Sequence, residues 1–228
     1  PIFFPWADGR SSISAGWERQ ESALLSTGVD DARPIRPIRD GDMWSTTASL
    51  RPRLPGLLGA RVTGRLDAEG GILDGDGYVR WLFGVELDGG RLGSPWGWEA
   101  EVGGALAAGT LPPQRLVLLG GRRTVPGYTF RGWGGDQAFF AKLLGSRRVI
   151  GRWLNLRAFA TVGTVGITPV SAGAAELFGA SASGGLRPSL GTGIGVVNDF
   201  LRVDVARGLN DGVWEWMVSF NKDLWPMM

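Results

Sequence analysis

Apolar and polar residues alternate with a period of two along most of the chain, which is typical of β-strands with two unlike faces. In residues 78–88 the odd positions are all apolar, whereas the even positions include Arg80, Glu86 and Asp88. The pattern predicts ten strands, which at about 9–11 residues are long enough to cross a thin bilayer when tilted. They cover residues 12–24, 44–51, 59–67, 78–88, 96–106, 136–144, 153–163, 186–196, 201–206 and 213–220.

The connections between these strands alternate in length. Long or glycine-rich connections span residues 27–42, 69–77, 109–135 and 164–184, and shorter ones span residues 52–57, 89–95, 146–152 and 197–199. The last connection, 208–212, is short although its place in the series belongs to the long set. Transmembrane β-barrels alternate short periplasmic turns with long extracellular loops. We therefore predict an all-β fold, an antiparallel transmembrane β-barrel. A soluble β-sandwich is the alternative, because its strands alternate in the same way.

Glycine and tryptophan are abundant, at 38 and 11 residues. Glycine, which ordinarily makes up roughly 7% of residues, permits tight turns and bends in strands. Tryptophan suits the interface between membrane and water, where its ring is in an apolar region and its N–H remains hydrated. No run of about 18 uncharged apolar residues is present, so no helix is predicted to cross a bilayer. The composition thus favours strands as the membrane-crossing elements.

The chain contains neither cysteine nor histidine. Disulfides, thiolate chemistry and a Ser/His/Asp triad are thereby excluded for this chain. The formal net charge is only +2, and the 24 basic residues are scattered rather than gathered in one stripe. No nucleic-acid partner is expected from such a distribution. We predict no enzyme activity, no cofactor and no metal site.

The first long connection offers an alternative chemistry, because four aspartates cluster in it. Paired carboxylates can hold Ca²⁺ or perform acid–base catalysis, as in a small outer-membrane enzyme with active residues at the barrel rim. Three arginines are interleaved with the aspartates, which favours a solvated loop. The residues concerned are Asp30, Asp31, Arg33, Arg36, Arg39, Asp40 and Asp42.

Residues 120–140 form a glycine-rich connection that carries Arg122, Arg123 and Arg131, and on its residues alone it is typical of a solvated surface loop. Its order resembles the sixth extracellular loop of BamA-type proteins, the bacterial surface antigen family. In that family a Gly-Gly stretch precedes a Val-Arg-Gly-Phe/Tyr motif, and the loop folds back into the barrel lumen. The resemblance implies that Arg131 is inserted there, where its five donors can pin the loop through charge-assisted hydrogen bonds. The matching residues are Phe130, Arg131, Gly132 and Trp133.

In this family the partner of that arginine is an acidic residue in a Phe-x-Asp-x-Gly pattern. Phe159 and Gly163 match the aromatic residue and the glycine, whereas Thr161 stands at the acidic position. The resemblance therefore makes Thr161 the loop partner. Its hydroxyl would accept a hydrogen bond worth about 0.5–1.5 kcal/mol in place of a charge-assisted pair.

The end of the chain also resembles the family. Five predicted strands follow the loop, as in the family, and an Arg-x-Asp-x-Ala run at residues 202–206 precedes the terminal strand. The resemblance implies that the terminal strand carries the insertion signal and forms one lip of a lateral seam. Client strands pair at such a seam because an open edge exposes a row of N–H and C=O groups. Ordinary barrel closure is the alternative role of its residues Trp214, Trp216, Val218 and Phe220.

The family barrel has sixteen strands, so the resemblance makes residues 1–228 the carboxy-terminal part of an outer-membrane barrel domain. The chain begins at Pro1 without the features of a signal peptide, and we expect it to be a mature segment or a fragment. Six strands and any periplasmic domains are expected upstream of it. If those strands do not exist, a closed ten-strand barrel or an oligomeric pore is the alternative.

The resemblance implies a bacterial outer-membrane pore that inserts or translocates other proteins without chemical catalysis. Its partners would be outer-membrane lipid, client outer-membrane or secreted proteins, and periplasmic accessory proteins. The loop motif is shared by two-partner secretion pores and by surface-antigen barrels fused to an upstream enzyme domain. These remain the alternatives within the membrane class.

Overall fold

A computed structural model describes residues 2–3, 11–20, 39–57, 59–90, 94–151, 153–177, 179–197 and 199–220. A strand content of 67% confirms the prediction of an all-β fold. None of the described helices is long and apolar enough to cross a membrane. The helical elements are a 3-10 helix at Pro113–Arg115 and α1 at Ala172–Leu177. The strands are β1 Ile2–Phe3, β2 Ser12–Gln20, β3 Gly41–Leu50, β4 Arg53–Leu57, β5 Ala60–Leu73, β6 Asp76–Gly89, β7 Trp96–Gly109, β8 Val117–Leu119, β9 Trp133–Gly135, β10 Gln137–Ile150, β11 Leu154–Gly166, β12 Arg187–Val196, β13 Leu201–Gly208 and β14 Trp214–Phe220.

One large antiparallel sheet contains all of these strands except β8 and β9, which pair with each other. Its order is β1-β2-β3-β5-β6-β7-β10-β11-β12-β13-β14, and β4 pairs with β5. Each of the ten predicted strands is present, although residues 21–24 of the first lie outside the described residues, and each pairs with its neighbours along the chain. The sheet is not closed into a barrel, and within the described residues β1 and β14 are its outer strands.

Three of the predicted connections are wrong, and in one of them, residues 146–152, β10 continues as far as Ile150. Residues 69–77, predicted as a long loop, contain the end of β5, a turn at Asp74 and Gly75, and the start of β6. Both turn residues have positive φ angles, 48° and 90°, which is the backbone of a tight hairpin turn that Asp-Gly favours. Residues 52–57, predicted as a short connection, contain β4. Long connections are therefore found at residues 110–136 and 167–186, but the regular alternation fails at the β5–β6 hairpin.

The outer face of the sheet carries apolar side chains and is exposed. Because side chains alternate along a strand, cross-strand neighbours share a face. Trp44 lies opposite Ile72, and Leu66 lies opposite Phe83. Exposed large side chains continue across this face from β2 to β14; they include Trp17, Trp44, Ile72, Trp81, Phe83, Leu106, Leu143, Leu156, Leu190, Trp216 and Phe220.

The inner face carries most of the charge, and the sheet curls around it. Asp88 of β6 and Arg202 of β13 have four strands between them in the sheet order, yet both line one cavity of about 150 Å³. In a flat sheet, with strands about 4.8 Å apart, they would be separated by roughly 24 Å. Curvature of the sheet therefore gathers the charged side chains into a common interior.

Two long connections cover one end of this interior with a small apolar core. Met43, Leu73 and Tyr78 of the sheet pack there against Leu111 and Leu116 of the β7–β10 connection. The buried Ala175 of α1, in the β11–β12 connection, completes the cluster. Apolar burial in this protein thus takes place between the sheet and its own loops.

Candidate functional site

A cluster of charges on the inner face is built around Glu69, whose side chain is only 7% exposed. The pairing of β5 with β6 places Glu69 opposite Arg80, and the two side chains form an ion pair. Tyr78 donates its hydroxyl to Glu69 at 2.7 Å, and Nε of Arg115 lies 3.0 Å from the same carboxylate. Burial lowers the pKa of Arg115, but its hydrogen bond with Tyr78 and the charge of Glu69 outweigh this, so the net shift is upward. The cluster ties a connecting loop to the sheet.

A second cluster surrounds Asp67, which lies two residues before Glu69 on the same face of β5. Arg51 contacts both carboxylate oxygens, at 2.8 and 3.2 Å. Nε of Arg65 donates to the same carboxylate at 2.7 Å, and the hydroxyl of Ser49 donates as well. Charge-assisted hydrogen bonds of this kind are about twice as strong as neutral ones. They hold the end of β3 against β5 on the inner face.

The connection of residues 110–136, here called the inner loop, packs on the inner face of β10 and β11. Leu119 and Val125 of the loop form a buried cluster with Val165 of β11. A side-chain carbon at Gly163 would approach both Leu119 and Val125 to 2.8 Å, which is too close for real Cβ contacts. Gly163 was predicted to belong to the loop's partner motif. Because it has no side chain, Leu119 and Val125 of the loop can pack against it.

Gly127 fixes the loop against the last two strands. Its φ angle is +82°, and a Cβ there would overlap the backbone of Gly208. The Gly127 amide donates to Oε2 of Glu215 at 2.7 Å, and its carbonyl accepts the amide of Val213 at 2.8 Å. Only a glycine combines this backbone conformation with so close an approach.

Tyr128 and Trp133 pack inward beside this contact. Tyr128 donates its hydroxyl to the carbonyl of Pro188 at 2.7 Å and accepts the amide of Asn210 at 3.0 Å. The Trp133 ring lies edge-on to Tyr128, with centroids 5.3 Å apart, and the Arg187 guanidinium stacks 4.8 Å above it. Trp133 is thus the predicted motif residue that the structure places within the packed interior.

The other predicted motif residues lie on the exposed side of the loop. Arg131 is exposed, has a φ angle of 53°, and places its guanidinium 5.0 Å from the ring centroid of the half-exposed Phe130. Gly132 donates its amide to the carbonyl of Thr129 at 2.9 Å and closes a tight turn. Arg131 is thus exposed in a sheet that is not closed, and its position inside a barrel lumen stays a prediction of the resemblance.

Thr161, predicted to be the partner of Arg131, lies beneath a different part of the loop. Its side chain is 5% exposed, and its hydroxyl has no hydrogen-bond partner among the described residues. It lines a cavity of about 110 Å³ with Arg122, Arg123 and Phe159. The ring of Phe159 fills the space that a side chain at Gly191 would need. The structure thus brings Arg122 and Arg123, not Arg131, to the cavity of Thr161.

Asp136 is a buried residue of the site that the sequence interpretation missed. Its carboxylate accepts the amide of Thr168 at 2.9 Å and also the hydroxyl of Thr168, which joins the base of the inner loop to the β11–β12 connection. The alternation assigned Asp136 to a strand. A usable signal was its place directly after Gly134 and Gly135, because aspartates at such chain reversals commonly bind nearby backbone amides.

The predicted residues of the terminal strand lie on the outer face. Their exposure is high and reaches 74% for Trp216. Within the described residues β14 pairs only with β13, so its other edge has no partner strand. The four residues are Trp214, Trp216, Val218 and Phe220.

The aspartates of the first long connection are only partly described. Asp30 and Asp31 lie outside the described residues. The amide of Asp42 donates to Oδ1 of Asp74 at 3.3 Å, so this aspartate borders the β5–β6 turn. No group of three metal-ligating side chains occurs in the described ranges.

The fold and the site define an all-β protein in which one open antiparallel sheet has a charged face covered by an inner loop and an apolar face that is exposed. No family model matches the chain, and no curated protein matches its sequence. A functional proposal therefore depends on the charged inner face, the exposed outer face and the inner loop that packs on the inner face.

Proposed function

We propose that this chain is the carboxy-terminal part of a transmembrane β-barrel in a bacterial outer membrane. The observation that carries the proposal is the inverted sheet: large apolar side chains cover the exposed face, and ion pairs occupy the covered one. Apolar surface in water costs roughly 25 cal/mol per Å², and soluble proteins rarely expose large continuous patches of it. Lipid around the outer face removes this cost, and water in the barrel interior solvates the charges.

A soluble sandwich is disfavoured by the position of the remaining strands. In a sandwich the apolar face packs against a second sheet about 10 Å away. Here the β8–β9 pair contacts β10 and β11, and its Leu119 lies against Gly163 on the inner face. The described residues thus provide no second layer for the outer face.

Exposed tryptophans at both ends of the sheet support a membrane position. Trp17, Trp44 and Trp214 lie at the end that also carries the inner loop, whereas Trp96 and Trp153 lie at the opposite end. Membrane barrels carry aromatic girdles at their two interfaces with water. The tryptophans of this chain suit two such girdles.

Within that barrel the proposed work is the insertion or translocation of other proteins without chemical catalysis. Two features support it, together with the resemblance of residues 120–133 to the family loop. The inner loop covers the charged interior through noncovalent contacts, which are reversible, and β14 offers an edge for strand addition. The proposed partners are outer-membrane lipid, client proteins and periplasmic accessory proteins.

The experiment is reconstitution of the intact protein into lipid vesicles, followed by a client assay. We expect the protein to resist alkaline extraction and to accelerate the folding of an unfolded outer-membrane barrel, or the protection of a secreted client from protease, relative to empty vesicles. An unrelated porin at equal density is the control. Recovery of the protein in the soluble fraction contradicts the membrane proposal. Stable insertion without any effect on either client contradicts the assembly role alone.

A further inference from the structure

We propose that Arg147 and Arg207 each bind the phosphate group of a membrane lipid, one near each edge of the apolar outer face. The inference rests on the proposed function, because the outer face meets lipid only in a membrane barrel. Arg147 is placed on this face by its even spacing from the exposed Leu143 in β10, and Arg207 by its pairing with the exposed Trp214 of β14. Both arginines are themselves exposed.

Charge is nearly absent from the rest of this face. Because side chains alternate along a strand and paired residues share a face, the register identifies the outer positions of β5, β6, β7 and β10 to β14. Within those described strands, Arg147 and Arg207 are the only charged residues at outer positions. A charge on the lipid face is strongly unfavourable at the bilayer midplane and nearly tolerated at the interfaces with water. The two arginines are therefore expected to lie at those interfaces.

The strands place the two arginines at different levels. Arg147 lies three residues before the end of β10, away from the inner loop, and Arg207 is the last but one residue of β13, at the end that carries the inner loop. Measured from the middle of each strand, they differ by about six residues, which is roughly 15 Å along the membrane normal at a strand tilt of about 40°. Long arginine side chains extend their charge further toward water. The spacing of the two charges thus suits the apolar band of about 25 Å that membrane barrels present.

The two arginines have the same kinds of neighbour. Each lies directly opposite an exposed tryptophan on one neighbouring strand and an exposed leucine on the other. The guanidinium stacks on the tryptophan, 4.8 Å from the ring centroid for Arg147 and 5.5 Å for Arg207. Such stacking orients the guanidinium and leaves N–H groups at its edge for other acceptors. The residues are Trp96, Arg147 and Leu156 in one row and Trp214, Arg207 and Leu190 in the other.

A lipid phosphate is the acceptor that suits these groups. Neither arginine forms an ion pair within the described ranges. The planar guanidinium matches two phosphate oxygens through parallel charge-assisted hydrogen bonds. At the level of a tryptophan girdle, lipid headgroups supply that phosphate, and Leu156 and Leu190 suit the acyl chains beside it. An acidic protein segment would instead need polar partners for its backbone, which these rows do not offer.

The test is native mass spectrometry of the intact protein in nonionic detergent, titrated with two lipids that have the same acyl chains. One is phosphatidylglycerol, and the other is a diacylglycerol glucoside, which lacks phosphate. We expect the wild type to bind phosphatidylglycerol at least about tenfold more tightly than the glycolipid, as hydrogen bonds to a charged group predict. Arg147→Gln and Arg207→Gln should each lose one bound phosphatidylglycerol, and the double variant should bind the two lipids equally.

Arg148→Gln is the matched control. Arg148 is the exposed neighbour of Arg147, but alternation places it on the other face, where its Nη2 donates to the carbonyl of Ser94 at 2.7 Å. Its replacement removes the same charge and should leave the preference for phosphatidylglycerol unchanged. Circular dichroism establishes that each variant is folded.

Equal binding of the two lipids by the wild type, or an unchanged preference in the folded double variant, overturns the proposal. A dimer that retains no lipid would assign the outer face to a second copy of the chain and overturns it as well. Failure of the proposed function is distinguishable, because it appears as recovery of the protein in the soluble fraction without detergent. Stable membrane insertion without a preference for the phosphate-containing lipid contradicts this inference alone.

Discussion

Leu143 and Leu144 are consecutive residues of β10 with identical side chains and opposite surroundings. Leu143 is 57% exposed on the outer face, where it lies between Ala100 and Ala160 of the neighbouring strands. Leu144 is buried on the inner face and lines the cavity beneath the inner loop. Both faces of the strand are therefore apolar at this point, but within the described residues only the inner one is covered by protein. The exposed apolar face needs a partner of another kind, which in the proposed function is lipid.

The contrast extends across the sheet and shows how the interior is organised. On the inner face, charges are gathered and paired, as in the contact of Glu69 with Arg80 and Arg115. The outer face carries large apolar side chains, and no element of the described residues covers it. A charge added to the outer face is therefore expected to act differently from a charge removed from the inner face.

The largest effect is expected for Leu143→Arg. An arginine on the lipid face near the bilayer midplane costs about 2–4 kcal/mol, and Leu143 is near the middle of β10. Leu209, 52% exposed in the β13–β14 connection, offers the matched control Leu209→Arg, for which a change within about 0.5 kcal/mol is expected. The measurement is the yield of folded protein in lipid vesicles. Equal yields for the two variants would remove the distinction between the outer face and the loop.

Arg80→Met is the next test, on the inner face. It removes the ion pair with Glu69 and a hydrogen bond from Nη1 to the carbonyl of Arg115 at 2.9 Å. Hydrogen bonds to charged groups contribute about 1.5–3 kcal/mol, and we expect a loss of that size in the free energy of unfolding. Arg115 and Tyr78 limit the loss, because they still contact Glu69. Denaturant titration in vesicles measures it, and an unchanged midpoint would show that the cluster is solvated rather than structural.

Gly127→Ala tests the contact that holds the inner loop against the last two strands. The alanine would need a φ angle near +82° and would overlap the backbone of Gly208, so a loss of about 1–3 kcal/mol in loop docking is expected. Gly173→Ala in α1 is the control, since a Cβ there meets nothing within 4 Å. Limited proteolysis of the inner loop should be faster in Gly127→Ala alone. Equal cleavage of both variants and the wild type would contradict the docked position of the loop.

The smallest effect is expected for Arg131→Gln. Because Arg131 is exposed, its replacement should change the free energy of unfolding by no more than about 0.5 kcal/mol. The sequence resemblance instead implies a lumenal arginine, whose loss would release the loop. A destabilisation well above that limit, measured by the same denaturant titration, would contradict a merely exposed role of Arg131 and would support its lumenal position.

Period-two alternation was sufficient to predict every long strand, because side-chain direction in a sheet depends only on position along the strand. It failed at Asp74 and Gly75, where a glycine-rich segment was interpreted as a long loop although Asp-Gly is a strong hairpin signal. The alternation also could not show which face is covered by protein, because a period of two identifies the two faces without showing what lies against them. The position of residues 110–136 against the inner face makes that distinction.

The contacts around the candidate residues could not be predicted from the sequence. Trp133, Phe159, Thr161 and Gly163 do lie at or beneath the inner loop. The cavity beside Thr161 is lined by Arg122 and Arg123, whereas Arg131 lies in a turn with a positive φ angle and is absent from that lining. Such a turn is set by tertiary packing, including the contact of Gly127 with the last strands, and no local motif encodes it.

The most direct test of the central claim compares the two neighbouring leucines in a membrane. Because the chain has no cysteine, Leu143→Cys and Leu144→Cys each provide a unique site for an environment-sensitive fluorophore. In vesicles made with brominated lipid, the account predicts strong quenching of the label at position 143 and little quenching at position 144. Equal quenching at both positions, or stronger quenching at 144, would contradict a lipid-facing outer surface and an enclosed inner one.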